Sequence, residues 1–458
     1  MRTALILLWV LLAAVPAVWG LGPHELLLLA NQGEAESVRV AEAFAALRSV
    51  PPSNLLRLEL PPGAVSANGQ MEPEDVHRHI LEPASRFLEE RGLAGQVLAW
   101  VYATHFPVRV STQPPTSLTG FTFVRGRHPG YQRVRRGSYR SALFAGPTGA
   151  EGASHYSQSF DTAKNWLGEA MPLPAMMLGY TGPNGNTLEE TLAVLRRGAA
   201  ADGTAPDGSV YFVRTRDVRT KPRAWQFERA ARELRKWGID AQVVDRFPVG
   251  AENVIGVMTG AAEAPVAGAS YVPGALGDHL TSLAGVFDTK KQTKLTDWLR
   301  AGTVAASGTV TEPYAIWTKF PAARLFAHYV AGCTAIESYY QAVGCPLQLL
   351  IVGDPLAAPW KTAAAVALDG LPAGAWRGTV ELAPRVTSDD GFRAARFLYL
   401  LDGRPIGEGN PFRWNTAAVK DGWHRLRVVA YSAGLVRQQT FRERPITVHN
   451  ADGGEERR

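Results

Sequence analysis

Strand and helix patterns that alternate up to about residue 361, then short strand runs broken at turn pairs, predict two folded parts. The first is an α/β domain with a mainly parallel sheet and helices on both faces. The second is a small all-β sandwich. A chain of 458 residues, 46% hydrophobic and 20% charged, carries enough apolar material for both cores and lacks the polar bias of a disordered chain.

The N-terminus reads as an export signal. Arg2 precedes an apolar run at 4–15, and small residues at Val18 and Gly20 stand before a new polar segment, the pattern of a leader cut after Gly20. The run falls short of the ~20 apolar residues that a membrane helix needs, no later stretch approaches that length, and no cysteine follows it to carry a lipid. The expected mature chain has lost residues 1–20, has no transmembrane segment, and is exported to the periplasm, the cell surface or the medium.

From there the elements follow in order. Strand 26–30, helix 35–48 and strand 55–60 have the spacing of a parallel βαβ unit. Pro73 with Glu74 and Asp75 suits a helix first turn, Gly92 a helix end, and 96–103 a buried strand. After an Arg-rich insertion at about 111–160, Thr187 and Glu190 have capping-box spacing and open a helix to Arg197. Strand 210–213 leads to a helix from Pro222 to Trp237, then to strands 241–244, 254–258 and 271–276. A helix near 293–300, a strand at 304–306, a long helix over 322–343 and a strand at 348–352 complete the domain, 21–361. Such alternation gives a parallel sheet covered on both faces, with ligand sites beyond the carboxyl ends of its strands. Over 362–449 the runs 379–382, 395–400, 412–415 and 424–431, with turn pairs Asp402-Gly403 and Asp421-Gly422, read as a β-sandwich. Residues 450–458 read as a flexible tail.

The formal net charge of +6 is modest, and no nucleic-acid motif accompanies it. Its distribution is uneven: Arg125, Arg127, Arg133, Arg135, Arg136 and Arg140 crowd into sixteen residues, interleaved with Tyr131 and Tyr139 and with no acidic residue among them. A solvated loop and a site for anionic polymers both fit, since guanidinium groups pair with phosphate, sulfate and carboxylate. Cys333 and Cys345 lie at the two ends of helical sequence, too far apart for a disulfide, and are expected to be free, buried thiols.

Searches for chemistry exclude the common templates. There is no GxxxxGK[ST] phosphate loop, no GxSxG elbow, no HExxH and no paired CxxC, and His77 and His79 point to different faces of a helix. No cofactor or metal site is expected. Polar groups and glycines gather in 274–285, 298–302, 307–314 and 353–356, which are expected to converge at one end of the sheet. There, Asp278, His279 and Ser282 offer acid, imidazole and hydroxyl as base and nucleophile, or else a loop held by turn hydrogen bonds. Glu312, Tyr314 and Asp354 are candidate binding residues, as are Arg133, Arg135, Arg136 and Arg140. Glu312 equally suits a buried acceptor, and Asp354 a turn former.

The segments 308–314 (GTVTEPY), 319–321 (KFP), 337–340 (ESYY) and 353–356 (GDPL) resemble a family of exported bacterial proteins of unassigned function, over roughly residues 24–360. That family is distantly similar to gingipain-like cysteine peptidases on the caspase-type sheet, in which a His-Gly follows one strand and a nucleophilic Cys the next. Here Thr259-Gly260 and Asp278-His279 stand at those positions, so the resemblance implies the fold without the dyad. The stretch 421–431 resembles a strand pair of bacterial immunoglobulin-like modules. The combined expectation is a non-peptidase binding or structural protein of the cell envelope. Its alternatives are a hydrolase using Asp278, His279 and Ser282, and a binder of polyanions or glycans through the Arg-rich loop.

Overall fold

The computed structural model describes residues 18–146, 172–369, 371–433 and 436–450. A ten-stranded sheet organises the first part. Its strands are β1 (Leu26–Asn31), β2 (Leu55–Leu58), β3 (Ala99–Tyr102), β4 (Ala175–Met177), β5 (Ser209–Val213), β6 (Asp240–Val244), β7 (Val254–Gly260), β8 (Tyr271–Leu280), β9 (Ala305–Thr309) and β10 (Leu349–Gly353). The spatial order is β6-β5-β7-β8-β9-β10-β4-β3-β1-β2. The pairings within β6-β5-β7-β8-β9 and within β4-β3-β1-β2 are all parallel, and β10 is antiparallel to β9 and meets β4 at one residue pair, Val352 with Met177.

β10 separates the sheet into two halves whose strands end on the same side: Asn184 beyond β4 donates to Phe287 O beyond β8, and Arg109 beyond β3 lies 3.8 Å from Asp288. In each half the first strand lies between the second and the third, so the chain changes its winding direction beside β1 in one half and beside β5 in the other. Both faces are buried, which is why the strands read as nearly continuous apolar runs. Leu26, Leu28 and Ala30 of β1 join the core on one face, with α1 (Ala35–Arg48) and the helix Lys221–Lys236. Leu27 and Leu29 join the core on the other, with Leu118 and Phe121 and with Leu295 and Trp298.

Several expectations are corrected. The helix read over 322–343 is two helices, Leu325–Val330 and Ala335–Ala342. Gly332 between them has a left-handed φ of 97°, and Glu337 reaches back to accept from the Thr334 N–H and hydroxyl at 2.8 and 2.7 Å, opening a new helix. Both cysteines are free and buried as expected, Cys333 within the break and Cys345 beyond the second helix. The Arg-rich insertion is partly folded: Thr116–Ser117 joins a three-stranded sheet with Gln70–Met71 and Arg109–Val110, and the buried helix Leu118–Phe123 follows. Its residues 147–160 lie outside the described residues.

The second part has an antiparallel sheet of Arg404–Glu408, Ala394–Leu401, Gly422–Ser432 and Gln439–Val448, in that order, faced by the pairs Thr379–Leu382 with Phe412–Asn415 and Ala365–Ala367 with Arg385–Thr387. Trp376, Tyr399, Trp414 and Val428 fill the space between them. Asn450, read as the start of a tail, is held: its amide donates to Thr416 O at 2.8 Å and Val419 O at 2.9 Å. Residues 451–458 lie outside the described residues. Among the described residues no helix is long and apolar enough to cross a membrane.

Candidate functional site

The carboxyl ends of β7, β8 and β9 carry most of the residues singled out in the sequence. Asp278, near the end of β8, is completely buried and forms an ion pair with Arg223. Ser307 of β9 donates to its other oxygen at 3.0 Å. The remaining Arg223 donors go to Pro321 O at 2.8 Å and Thr259 O at 2.7 Å. Burial pushes the Asp278 carboxyl up, against the pull of Arg223 and Ser307.

His279 points to the opposite face and is also buried. Its Nε2 lies 2.8 Å from Ala261 O, and because a carbonyl only accepts, Nε2 carries the proton. Nδ1 has no partner among the described residues. Burial lowers the imidazole pKa to about 4, so it is neutral near pH 7. Ser282 enters this end through its carbonyl, which accepts from the Thr309 hydroxyl at 3.1 Å. Asp278 and His279 are thus held to other groups, and no hydrogen bond joins either to the Ser282 hydroxyl among the described residues.

Beyond β9 lies an exposed surface. Tyr314 has a left-handed φ of 58° and is 48% exposed; the carboxylate of Glu312 accepts from its N–H at 2.8 Å. The short helix Tyr131–Arg136, closed by Gly137 in the left-handed region, packs beside it. Arg133, Arg135 and Arg136 are exposed. The Arg135 guanidinium and the Lys319 ammonium each lie 5.8 Å from the Tyr314 ring centre. Lys319 donates to Arg135 O at 2.9 Å, and burial lowers its pKa to about 8. Arg140 is turned inward, half-buried beside Gly344 and near Cys345. Cys345 itself is buried, with its thiol pushed up to about 11.

Asp354 does not join this group. Because β10 runs antiparallel to β9, its carboxyl end lies at the far end of the sheet. There Asp354 is buried in an ion pair with Arg48, which also bonds Asp202 at 2.7 Å. The four polar segments therefore occupy two ends of the sheet.

Open α/β sheets bind ligands where the winding direction changes, and the two such crevices differ. The one between β5 and β7 is closed by its own loop: the Thr215 and Thr220 hydroxyls donate to Gly260 O at 3.1 and 2.7 Å, and Asp217 accepts from Ala262 N–H at 3.2 Å. The one between β1 and β3 holds His105, whose side chain is 31% exposed on a backbone with φ of 62°. Its Nε2 lies 3.0 Å from Glu36 Oε2 and 3.1 Å from Thr181 Oγ1, and its Nδ1 is 3.6 Å from Glu34. The contact with His105 holds the Glu36 carboxyl below its usual range. Asn31 donates to His105 O at 3.0 Å. Sequence reasoning missed this cluster because its members come from three distant segments; Thr104-His105 directly after a buried strand was the available signal.

No family model matches the chain, and no curated protein matches it. Among solved structures it is similar to one titled "Structure of Protease", at 10% identity and a TM-score of 0.48, over 93% of this chain and 97% of that one. It is also similar to fibronectin(III)-like modules of Clostridium thermocellum CbhA, at 20% identity and a TM-score of 0.17, over 24% of this chain and 55% of that one.

Proposed function

We propose that this is a non-peptidase binding protein of the cell envelope that holds anionic glycan polymers through Arg135 and Tyr314 and the exposed Arg133 and Arg136 of the same short helix. In this reading the ten-stranded sheet is a caspase/gingipain-like one without the catalytic dyad, and the second part is an immunoglobulin-like module. The observation that carries it is the meeting of the exposed Arg135 guanidinium with the half-exposed Tyr314 ring, from segments some 180 residues apart, where the short helix of Arg135 also exposes Arg133 and Arg136. Planar guanidinium groups pair with sulfate and carboxylate through two parallel hydrogen bonds. Cysteine-peptidase chemistry lacks support because a cysteine nucleophile must ionise, while Cys333 and Cys345 are buried and burial raises both thiols.

The test is retention on a sulfated-polysaccharide matrix. Arg133→Gln, Arg135→Gln and Arg136→Gln together are expected to move elution to markedly lower salt with little change in melting temperature. Unchanged elution overturns the reading, and a large loss of stability places these arginines in structural contacts instead.

The His105 contacts favour a second reading, acid–base hydrolysis beyond the carboxyl ends of β1, β3 and β4, with Thr181 within hydrogen-bond reach of the imidazole. Any turnover found on a panel of esters and peptides should disappear with His105→Ala and with Thr181→Ala. Turnover that survives both substitutions removes this reading.

A further inference from the structure

We infer that cleavage after Gly20 creates a functional N-terminus, whose Leu21 ammonium forms a buried ion pair with Glu337 beside the seam between the α/β domain and the sandwich. This rests on the export-signal pattern in the sequence and on the geometry around Leu21.

The backbone N of Leu21 lies 3.1 Å from Glu337 Oε1 in a buried contact. The other oxygen of Glu337 is occupied by the Thr334 N–H and hydroxyl. Among the described residues Glu337 has no cationic partner. A second carboxylate, Glu25, is buried nearby; it accepts from Gly22 N–H at 2.9 Å and from Gln439 Nε2 at 2.8 Å, and Arg437 lies 3.8 Å away. Two carboxylates thus share a buried site, and the guanidinium groups near it, Arg437 and Arg396, act on Glu25. An unpaired buried carboxylate is costly, and burial raises that of Glu337 to about 7. The group it lacks is a cation at the position of Leu21 N.

Export processing would supply it. A peptidase of the signal-cleaving class adds water across the Gly20–Leu21 bond: the released leader keeps a carboxylate at Gly20, and the freed amine of Leu21 takes up a proton. An α-amino group has an ordinary pKa near 8, and a carboxylate at hydrogen-bond distance favours its charged form. A cavity of about 290 Å³, lined in part by Gly20, Leu21, Thr334, Gln438 and Gln439, adjoins the site. The uncut chain has contacts that processing removes: Val18–Trp19 pairs with Val436–Arg437, and Gln439 donates to Gly20 O. The ion pair replaces them at the same seam.

The test is a cycle of four proteins. One pair begins at Leu21, with and without Glu337→Gln; the other pair keeps residues 18–20 behind an added methionine, with and without the same substitution. The expected result is that Glu337→Gln lowers the melting temperature at least about twofold more in the chain that begins at Leu21, since only there does it remove an ion pair. Equal shifts overturn the inference. Intact mass of the exported protein should begin at Leu21, and another start overturns it. Should Glu337→Gln fail to fold, acylation of the native N-terminus decides: the Leu21 amine should react at least about tenfold more slowly than in denatured protein, and equal rates overturn the inference.

Discussion

Arg223 and Asp278 show how a residue that reads as catalytic can be structural. The pair lies in the core, where Arg223 also donates to Pro321 O and Thr259 O. Removing one partner of a buried pair leaves a lone charge and typically costs about 3–5 kcal/mol. Arg223→Ala is therefore expected to lower the unfolding free energy by that order, measured by urea denaturation; a loss below about 1 kcal/mol would mean the site is wet. The buried imidazoles give a second outcome. Burial lowers His279 and His328 to about 4, whereas an unfolded histidine titrates near 6.5. Between those values the unfolded chain binds more protons, so their contribution to stability is complete above pH 6.5 and is lost as pH falls toward 4. Glu337, raised to about 7, has the opposite slope, since its folded form holds a proton that the unfolded chain releases. The comparison must therefore be made against the parent protein: His328→Gln should reduce the acid loss by about one proton's worth, a tenfold change in the unfolding constant per pH unit. Parallel pH curves for parent and variant would show that His328 is already protonated or solvated.

At the scale of elements, long apolar strands were legible and short ones were not. β1 and β10 carry continuous apolar runs, and burial on both faces explains why alternation is absent. β4 has three residues between prolines and the winding of the next loop, too few for any periodicity. Gly332 signals the break, although helical spacing continues on both sides of it and favoured one long helix. Its φ of 97° suits glycine, and a Cβ there would lie 2.0 Å from the Gln438 side chain. Gly332→Ala is expected to cost about 1–3 kcal/mol through backbone strain and displacement of Gln438, and a thermal melt within 1 °C of the parent would contradict the left-handed turn. The candidate site was half legible for a related reason. Residues adjacent in sequence, such as Asp278 and His279, drew attention, but a strand sends them to opposite faces. Thr181, Glu34, Glu36 and His105 meet only because β1, β3 and β4 are neighbours.

At the scale of the molecule, the sandwich is a packed partner of the sheet. His24 Nε2 lies 2.9 Å from the Tyr431 hydroxyl, Gln96 donates to Gly403 O at 3.1 Å, and Arg427 donates to Ser49 O at 2.6 Å. Thr362 N–H donates to the Gln438 side chain at 2.6 Å just where the chain leaves the first part. These contacts cover His24 and Glu25, which burial displaces in opposite directions: the imidazole falls to about 3 and the carboxyl rises. Removing residues 362–450 would open both to water and strip Glu25 of Tyr431, Gln439 and Arg437. Each orphaned buried polar group costs about 1–3 kcal/mol, less whatever water recovers at the new surface. The fragment 21–361 keeps all ten strands and both of their cores, so it should remain folded, with native-like helical circular dichroism. It should melt clearly below the full chain and bind a hydrophobic dye at the uncovered seam. A fragment that melts with the full chain would show that the sandwich adds nothing to the sheet, and a fragment without cooperative unfolding would show that the two parts form one folding unit.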